Sequence, residues 1–245
     1  MKIIFIVETN KKSISIILPT KNHEEAVVNN IDGLNNFLSN NFENFEILIL
    51  SNGSMSQNVD LLKKAKIFDD YVKFFLVESV GKGNAVKFGI NKATYDNLVI
   101  FDADFSYDYN LILSFFKDNK PIGPFCYANR NTTKEILKNT KISRLIAGFI
   151  FNKLIRFYLK IDSKDTQAGF KFINKKIFNN SNKFISENYM YDVELFLLAR
   201  DRKISPISIE VKEINTVSSS NINLFSDSIE MFFSLQKIKK HYFYR

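Results

Sequence analysis

The chain has one cysteine, two histidines, four prolines, eight glycines and no tryptophan in 245 residues. Several of these shortages exclude a class of function. The lone Cys126 rules out an intramolecular disulfide and reads as a core residue of a protein kept in a reducing compartment. With only His23 and His241 available, neither a histidine-rich metal site nor a serine–histidine–aspartate triad is expected. Long apolar runs are lacking as well. Ile3 to Val7 is too short for the core of a signal peptide, and Leu145 to Phe151 falls far below the ~20 residues that span a bilayer. The expected location is therefore cytoplasmic, or peripheral on the cytoplasmic face of a membrane.

What is present describes a folded chain. Hydrophobic residues make up 45% of it, with 25 phenylalanines, enough for one substantial core rather than disorder. The formal charge of +8 fits either a generally basic surface or a phosphate-rich partner. No zinc-finger spacing or RNP-type aromatic motif accompanies it, and the basic residues are dispersed, so nucleic acid is not the expected partner. A nucleotide together with an anionic membrane surface fits the same charge.

The first half alternates strand and helix patterns. Ile14 to Leu18 reads as a strand ending at Pro19, and Ile47 to Leu50 as another, closed by the turn Ser51-Asn52-Gly53-Ser54. Val72 to Val77 and Leu98 to Phe101 follow the same pattern. Between them, Glu24 to Leu38 places Val27, Val28, Ile31, Leu34, Phe37 and Leu38 at helical spacing, and further helices are expected at Val59 to Ile67 and Asn84 to Ala93. Repeated alternation with short connections predicts an α/β domain with a mostly parallel sheet flanked by helices. Ligands of such sheets bind beyond the carboxyl ends of the strands, where Pro19 to Asn22, Ser51 to Ser54 and Asp102 to Asp104 all fall. The second half is less regular. A helix through Ile142, Leu145, Ile146, Phe149, Ile150, Leu154 and Ile155, a strand at Gly169 to Ile173, a helix at Val193 to Arg200 and an edge strand at Ile207 to Val211 are expected.

The chemistry concentrates between Gly81 and Asp104. A glycine-flanked lysine, Lys82, precedes a helix and a strand, and two carboxylates one residue apart follow. Alternate residues of an extended segment point the same way, so Asp102 and Asp104 share a side. Two carboxylates with a lysine nearby suit Mg2+ or Mn2+ carrying a phosphorylated substrate, because such ions complete their shell with phosphate oxygens and water.

Five segments carry a resemblance: Ile17-Leu18-Pro19-Thr20-Lys21-Asn22, Gly81-Lys82-Gly83-Asn84-Ala85-Val86, Asp102-Ala103-Asp104-Phe105-Ser106, Asp165-Thr166-Gln167-Ala168-Gly169-Phe170-Lys171 and Tyr191-Asp192-Val193-Glu194-Leu195. In order and spacing, from about residue 13 to 240, the chain resembles glycosyltransferase family 2, of the Rossmann-like GT-A fold. Within that family it resembles the dolichyl-phosphate glucosyltransferase and dolichyl-phosphate mannosyltransferase branch. The resemblance implies a hexose taken from a UDP- or GDP-linked sugar and passed to a dolichyl- or undecaprenyl-type phosphate with inversion. It implies a single GT-A domain over residues 1–215. Residues 216–245 would form an amphipathic, basic C-terminal segment, packed on that domain or lying at a membrane surface.

By the same resemblance Asp104 is the firmer metal ligand and Asp102 lies near both ribose and metal. Pro19, Thr20, Asn22, Asn52 and Lys82 border the nucleotide-sugar, and Arg130 and Arg144 contact the diphosphate or the acceptor phosphate. Asp165, Gln167, Asp192 and Glu194 belong to the acceptor side. Arginines suit phosphate oxygens because they bind them bidentately. A phosphate-monoester acceptor has its second pKa near ~6 and needs no strong base, whereas a sugar hydroxyl needs one such as Asp165, Asp192 or Glu194. Two positions depart from the family pattern. Ser51-Asn52 stands where paired aspartates are usual, and His23 replaces the glutamate after Asn22, with Glu24 one position late. Three readings stay open: transfer to a polyprenyl phosphate, transfer to a sugar hydroxyl in surface-polysaccharide or glycolipid synthesis, and nucleotide-sugar binding by a catalytically weakened protein.

Overall fold

The computed structural model describes residues 12–65, 67–130, 153, 155–161, 163, 165–178, 184–211 and 224–243. Nine strands occur among them: β1 (Ser13–Thr20), β2 (Asn44–Ser51), β3 (Val72–Leu76), β4 (Asn97–Phe101), β5 (Phe116–Lys117), β6 (Lys120–Pro121), β7 (Phe125–Arg130), β8 (Phe170–Asn174) and β9 (Ile207–Val211). The α-helices are α1 (Glu24–Asn41), α2 (Ser56–Lys64), α3 (Lys82–Lys92), α4 (Tyr191–Asp201) and α5 (Leu224–Phe243). Seven strands form one sheet in the order β3-β2-β1-β4-β8-β7-β9. β8 runs antiparallel to both its neighbours, and the other pairings in that sheet are parallel. The expected mostly parallel sheet between helices is the observed architecture, and β9 lies at the edge that Pro206 suggested.

Strands buried on both faces read as continuous apolar runs, and β1, β2 and β4 do so over Ile16–Pro19, Ile47–Leu50 and Leu98–Phe101. Alternation then sorts their side chains between two layers. Ile14, Ile16, Leu18, Ile47, Ile49, Val99, Phe101, Phe170 and Phe172 pack with Val27, Ile31, Leu34 and Leu38 of α1. On the opposite face Ile17, Leu48, Leu50, Leu98, Ile100, Phe125 and Ile173 pack with α3, α4, and Leu235 and Ile238 of α5. Each fully buried Leu or Ile contributes roughly 1.5–3 kcal/mol, so this double burial dominates the stability of the sheet. The backbone run 224–243 of α5 is thus tied to the core through Leu235 and Ile238, while Phe233 is exposed.

Several elements differ from expectation. β1 continues through Pro19 to Thr20. Its pairing with β4 ends at Ile17, so Pro19 lies where β2 alone is its neighbour and its missing N–H is tolerated. α2 begins at Ser56 and ends at Lys64, earlier than the apolar spacing indicates. α3 starts at Lys82 rather than Asn84, so the glycine-flanked lysine opens the helix instead of preceding it. The Phe116–Pro121 hairpin went unread, although Asp118 and Asn119 at its tip both take positive φ, 51° and 62°, the geometry of a type I′ turn. Strand β7 adds to the expected strands, because Asn129 and Arg130 break its apolar pattern. The helix expected from Ile142 falls largely outside the described residues. Cys126 lies in β7 in the core, and burial pushes its thiol up to about 12.

At the end of the sheet away from the strand carboxyl termini, Glu46 closes a polar junction. It accepts from Ser15 Oγ at 2.7 Å, Thr94 N at 2.5 Å, Thr94 Oγ1 at 3.0 Å and Lys73 Nζ at 2.9 Å. Burial by itself would raise its pKa. The bonds from Thr94, Ser15 and Lys73 outweigh that and hold it below the ordinary 4.5. A depressed carboxylate stabilises the fold above its unfolded pKa and loses that contribution as pH falls through the folded value. Glu46→Gln is therefore expected to lower stability at pH 7 by about 1–3 kcal/mol and to flatten the acid limb of the wild-type profile below pH 4.5. Urea titrations of both proteins across that range measure this.

Candidate active site

The carboxyl ends of β1, β2, β4 and β7 and the amino end of β8 meet at one edge of the sheet. Lys82 enters from the first turn of α3. Its two glycines are required by close approach of a neighbouring loop. A Cβ on Gly81 would stand 2.2 Å from Glu187 O, and one on Gly83 would stand 2.3 Å from Ser186 O. Gly81 also takes φ +124°, which side chains rarely adopt. Asn84 N donates to Glu187 O at 3.2 Å, which seats the 186–188 loop across the start of the helix.

So placed, the Lys82 ammonium lies 2.6 Å from Asp102 Oδ1, and the rings of Tyr189 and Tyr191 lie 5.9 and 5.8 Å from it. Burial would lower the Lys82 pKa, but the Asp102 and Asp192 carboxylates outweigh it and raise the value above the ordinary 10.5. Asp102 sits just past the end of β4, and its N–H donates to Gly169 O at 3.1 Å. Gly169 is where the acidic stretch and the Asp165–Lys171 segment touch. A Cβ there would lie 1.9 Å from Asp102 Oδ2. Asp104, in the following turn, accepts from Ser106 N at 3.0 Å.

Asp102 and Asp104 offer hard oxygen donors from half-buried positions on one turn. No group of three His, Cys, Asp or Glu side chains able to hold a metal occurs among the described residues. A two-carboxylate set suits an ion whose remaining positions are filled by phosphate and water, so the residues present fit Mg2+ or Mn2+.

On the other side of β8, Arg130 at the end of β7 grips Asp165 with Nε to Oδ2 at 2.6 Å and Nη2 to Oδ1 at 3.0 Å. Gln167 N also donates to Asp165 Oδ1, at 3.2 Å. Burial alone would raise the Asp165 pKa, but the Arg130 guanidinium holds it below the usual carboxylate value. Lys171 is fully buried, with its ammonium 2.5 Å from Asp192 Oδ1 and a second bond to Ala168 O. Asp192 is raised by burial, against the pull of Lys171 and then Lys82. Glu194 accepts from Ile185 N at 2.8 Å, Ser186 N at 2.7 Å and Tyr242 Oη at 2.8 Å. It thereby pins the loop that packs on Gly81 and Gly83.

The nucleotide-side candidates cluster at the ends of β1 and β2. Asn22, with φ 62°, accepts from Met55 N at 2.9 Å and Asn58 Nδ2 at 3.2 Å. Asn52 is buried. Its amide donates to Val77 O and Ser79 O, at 3.4 and 2.6 Å, and accepts from Gly81 N at 2.5 Å. The family resemblance places Asn52 at the border of the nucleotide-sugar; here its amide ties the end of β2 to the loop leading into Lys82. Pro19 and Thr20 end β1 beside Leu50 and Ser51. Thr20 Oγ1 and one oxygen of Glu24 are buried with no hydrogen-bond partner among the described residues. His23 is exposed and Glu24 fully buried, its other oxygen accepting from Ser54 Oγ and, at 3.4 Å, from Ser51 Oγ. Glu24 thereby ties the start of α1 to the Ser51–Ser54 turn. Arg144 lies outside the described residues.

The structure thus brings Lys82, Asp102, Asp165, Gln167, Asp192 and Arg130 around the two edges of β8. Roles for Tyr189, Tyr191, Gly169 and Lys171 were not read from sequence. The tyrosines carried no helical or strand periodicity that separates a ring over a cation from a core aromatic.

Residues 15–181 match the family described as glycosyl transferase family 2. Among curated relatives, a human dolichyl-phosphate β-glucosyltransferase is 24% identical over 82% of this chain and 67% of its own length. A poly-β-1,6-N-acetyl-D-glucosamine synthase of Staphylococcus aureus is 34% identical over 44% of this chain, a stretch that spans 27% of that protein. Among solved structures, Mycobacterium tuberculosis glucosyl-3-phosphoglycerate synthase in complex with UDP superimposes with a TM-score of 0.62 at 15% identity, covering 94% of this chain and 78% of that one.

Proposed function

This chain belongs to glycosyl transferase family 2, and from that premise we propose that it moves a hexose from a UDP- or GDP-linked sugar to a polyprenyl phosphate, with inversion. One observation carries the choice of acceptor. Each of the three carboxylates expected as a candidate base has a partner: Asp165 holds Arg130, Asp192 holds Lys171, and Glu194 holds two backbone amides and a tyrosine hydroxyl. A sugar hydroxyl needs such a base, and a phosphate monoester does not. The sequence resemblance and the human relative, a dolichyl-phosphate β-glucosyltransferase, support the same acceptor.

In this reading an acceptor phosphate oxygen attacks the anomeric carbon, and the bond from that carbon to the diphosphate breaks. The electron pair leaves on the nucleoside diphosphate, and no proton transfer is required. Lys82 and Arg130 supply positive charge to the phosphates, and Arg144 joins them by the family resemblance. Asp102 and Asp104 would hold Mg2+ or Mn2+, whose chemistry is neutralisation of charge on the departing diphosphate. The M. tuberculosis structural relative has been crystallised with Mn2+ and UDP-glucose, in keeping with that choice of ion and donor. Thr20, Asn22 and Glu24 border the nucleoside, and Asn52 acts on it through the loop it holds.

No helix among the described residues is long and apolar enough to cross a membrane. A lipid acceptor then requires contact with the cytoplasmic face of a membrane, and α5 with its basic end supplies that contact in this proposal. The staphylococcal relative, whose product is a β-1,6-linked sugar polymer, favours the second reading, transfer to a sugar hydroxyl. Purified protein incubated with radiolabelled UDP- and GDP-hexoses, Mg2+ or Mn2+ and a short polyprenyl phosphate is expected to place label in the organic phase. Label found only in added oligosaccharide would replace the lipid-phosphate reading with the second one.

A further inference from the structure

We propose that Lys82 is an internal counter-cation at Asp102, one that a divalent ion must displace, and that its release couples metal binding to nucleotide binding. The inference rests on the reading of Asp102 and Asp104 as the cation ligands.

Two kinds of partner compete for the same oxygen. The Lys82 ammonium stands 2.6 Å from Asp102 Oδ1, with both side chains about a quarter or less exposed, 21% and 25%. Asp102 Oδ1 receives no aligned hydrogen bond among the described residues, so ion pairing is what compensates its burial. An ion pair that no further donor to the same oxygen supports is one that a stronger cation can exchange. An ion arriving at Asp102 meets the ammonium at ion-pair distance, and the two repel.

The surroundings give Lys82 somewhere to remain once it leaves. Its backbone is fixed by the packing of Gly81 and Gly83 on residues 186–188, so only the side chain moves. Tyr189, more than half exposed, and Tyr191 present ring faces to the ammonium. Asp192 attracts it through space, although Lys171 already holds that carboxylate. The released ammonium is therefore under-compensated, and a diphosphate is the group that satisfies it. Metal alone leaves Lys82 without a full partner, nucleotide alone competes with Asp102 for it, and the two together satisfy every charge.

Mn2+ binding to the full chain, measured calorimetrically with and without UDP, tests this. In Lys82→Gln, Mn2+ alone is expected to bind about three- to tenfold tighter than in wild type, the span of a part-buried ion pair. UDP should then strengthen Mn2+ binding less than it does in wild type. Lys82→Arg, which keeps the charge, is expected to retain wild-type coupling. Lys82→Met, checked by circular dichroism, serves if the glutamine variant does not fold. Unchanged or weaker Mn2+ affinity in a folded neutral variant would overturn the inference while leaving the metal reading intact. Failure of Mn2+ to bind wild type even with UDP would overturn the metal reading itself, and this inference with it.

Discussion

Gly169→Ala is expected to reduce transferase activity on the order of a hundredfold, the cost of moving a reacting group by about 1 Å, while the protein stays folded. The new methyl group would stand 1.9 Å from Asp102 Oδ2 and 2.2 Å from its Cγ. The φ of Gly169 lies outside the left-handed region, so the backbone itself accepts alanine. Something must nevertheless move, and the aspartate side chain is the softest neighbour. Rotating it away costs the fold about 1–3 kcal/mol, but it also takes the carboxylate from Lys82. The damage should therefore appear mainly in donor-dependent kinetics and in divalent-ion affinity, with only a modest shift in the urea midpoint. Activity within twofold of wild type would mean that the position of the Asp102 carboxylate does not matter to the reaction.

Lys171→Met is expected to destabilise the protein by about 3–5 kcal/mol, because it strands a buried carboxylate. Methionine matches the lysine stem in volume, so packing is nearly conserved and the loss is electrostatic. The Lys171 ammonium lies 2.5 Å from Asp192 Oδ1, and burial already raises the pKa of that carboxylate. Without the ammonium that value rises further. A carboxylate with a raised folded pKa favours the folded state while protonated and loses that advantage as pH climbs from the unfolded value of 3.8 through the folded one. The Lys171→Met defect should therefore be smallest in mild acid and largest at and above neutrality. Adding Asp192→Asn removes the stranded charge and is expected to recover more than half of the loss. Denaturant unfolding of the two single variants and the double variant, each at two pH values, completes the cycle. Additive losses in the double variant would show that the two side chains do not act as a pair.

Much of the fold was legible because its parallel strands are buried on both faces. Ile16 to Leu18, Ile47 to Leu50 and Leu98 to Phe101 are apolar runs, and a parallel sheet covered by helices on both faces buries all of them. β7 and the antiparallel insertion of β8 were not legible in that way. β7 ends in Asn129 and Arg130, where packing rules give way to the needs of the site, and the direction of β8 is a property of the chain path rather than of local pattern.

The site divides along the same line. The spacing of Asp102 and Asp104, and the glycines around Lys82, are local facts of the chain, and they were enough to point to phosphate chemistry with a divalent ion. Which charges pair with which was decided by tertiary structure alone. Asn52 was read as a nucleotide contact, yet Gly81 N, Val77 O and Ser79 O occupy it. Asp165 and Glu194 were read as possible bases, yet Arg130 and the 185–186 backbone claim them. The sequence by itself therefore determined the class of fold and the kinds of charged group at the site, because both follow from burial pattern and spacing within single segments. The tertiary structure decided that Lys82 meets Asp102, that Gly169 makes room for that carboxylate and that Lys171 neutralises Asp192. Each of these contacts joins residues at least twenty positions apart, and electrostatic pairing depends on the distance in space that only the folded sheet sets.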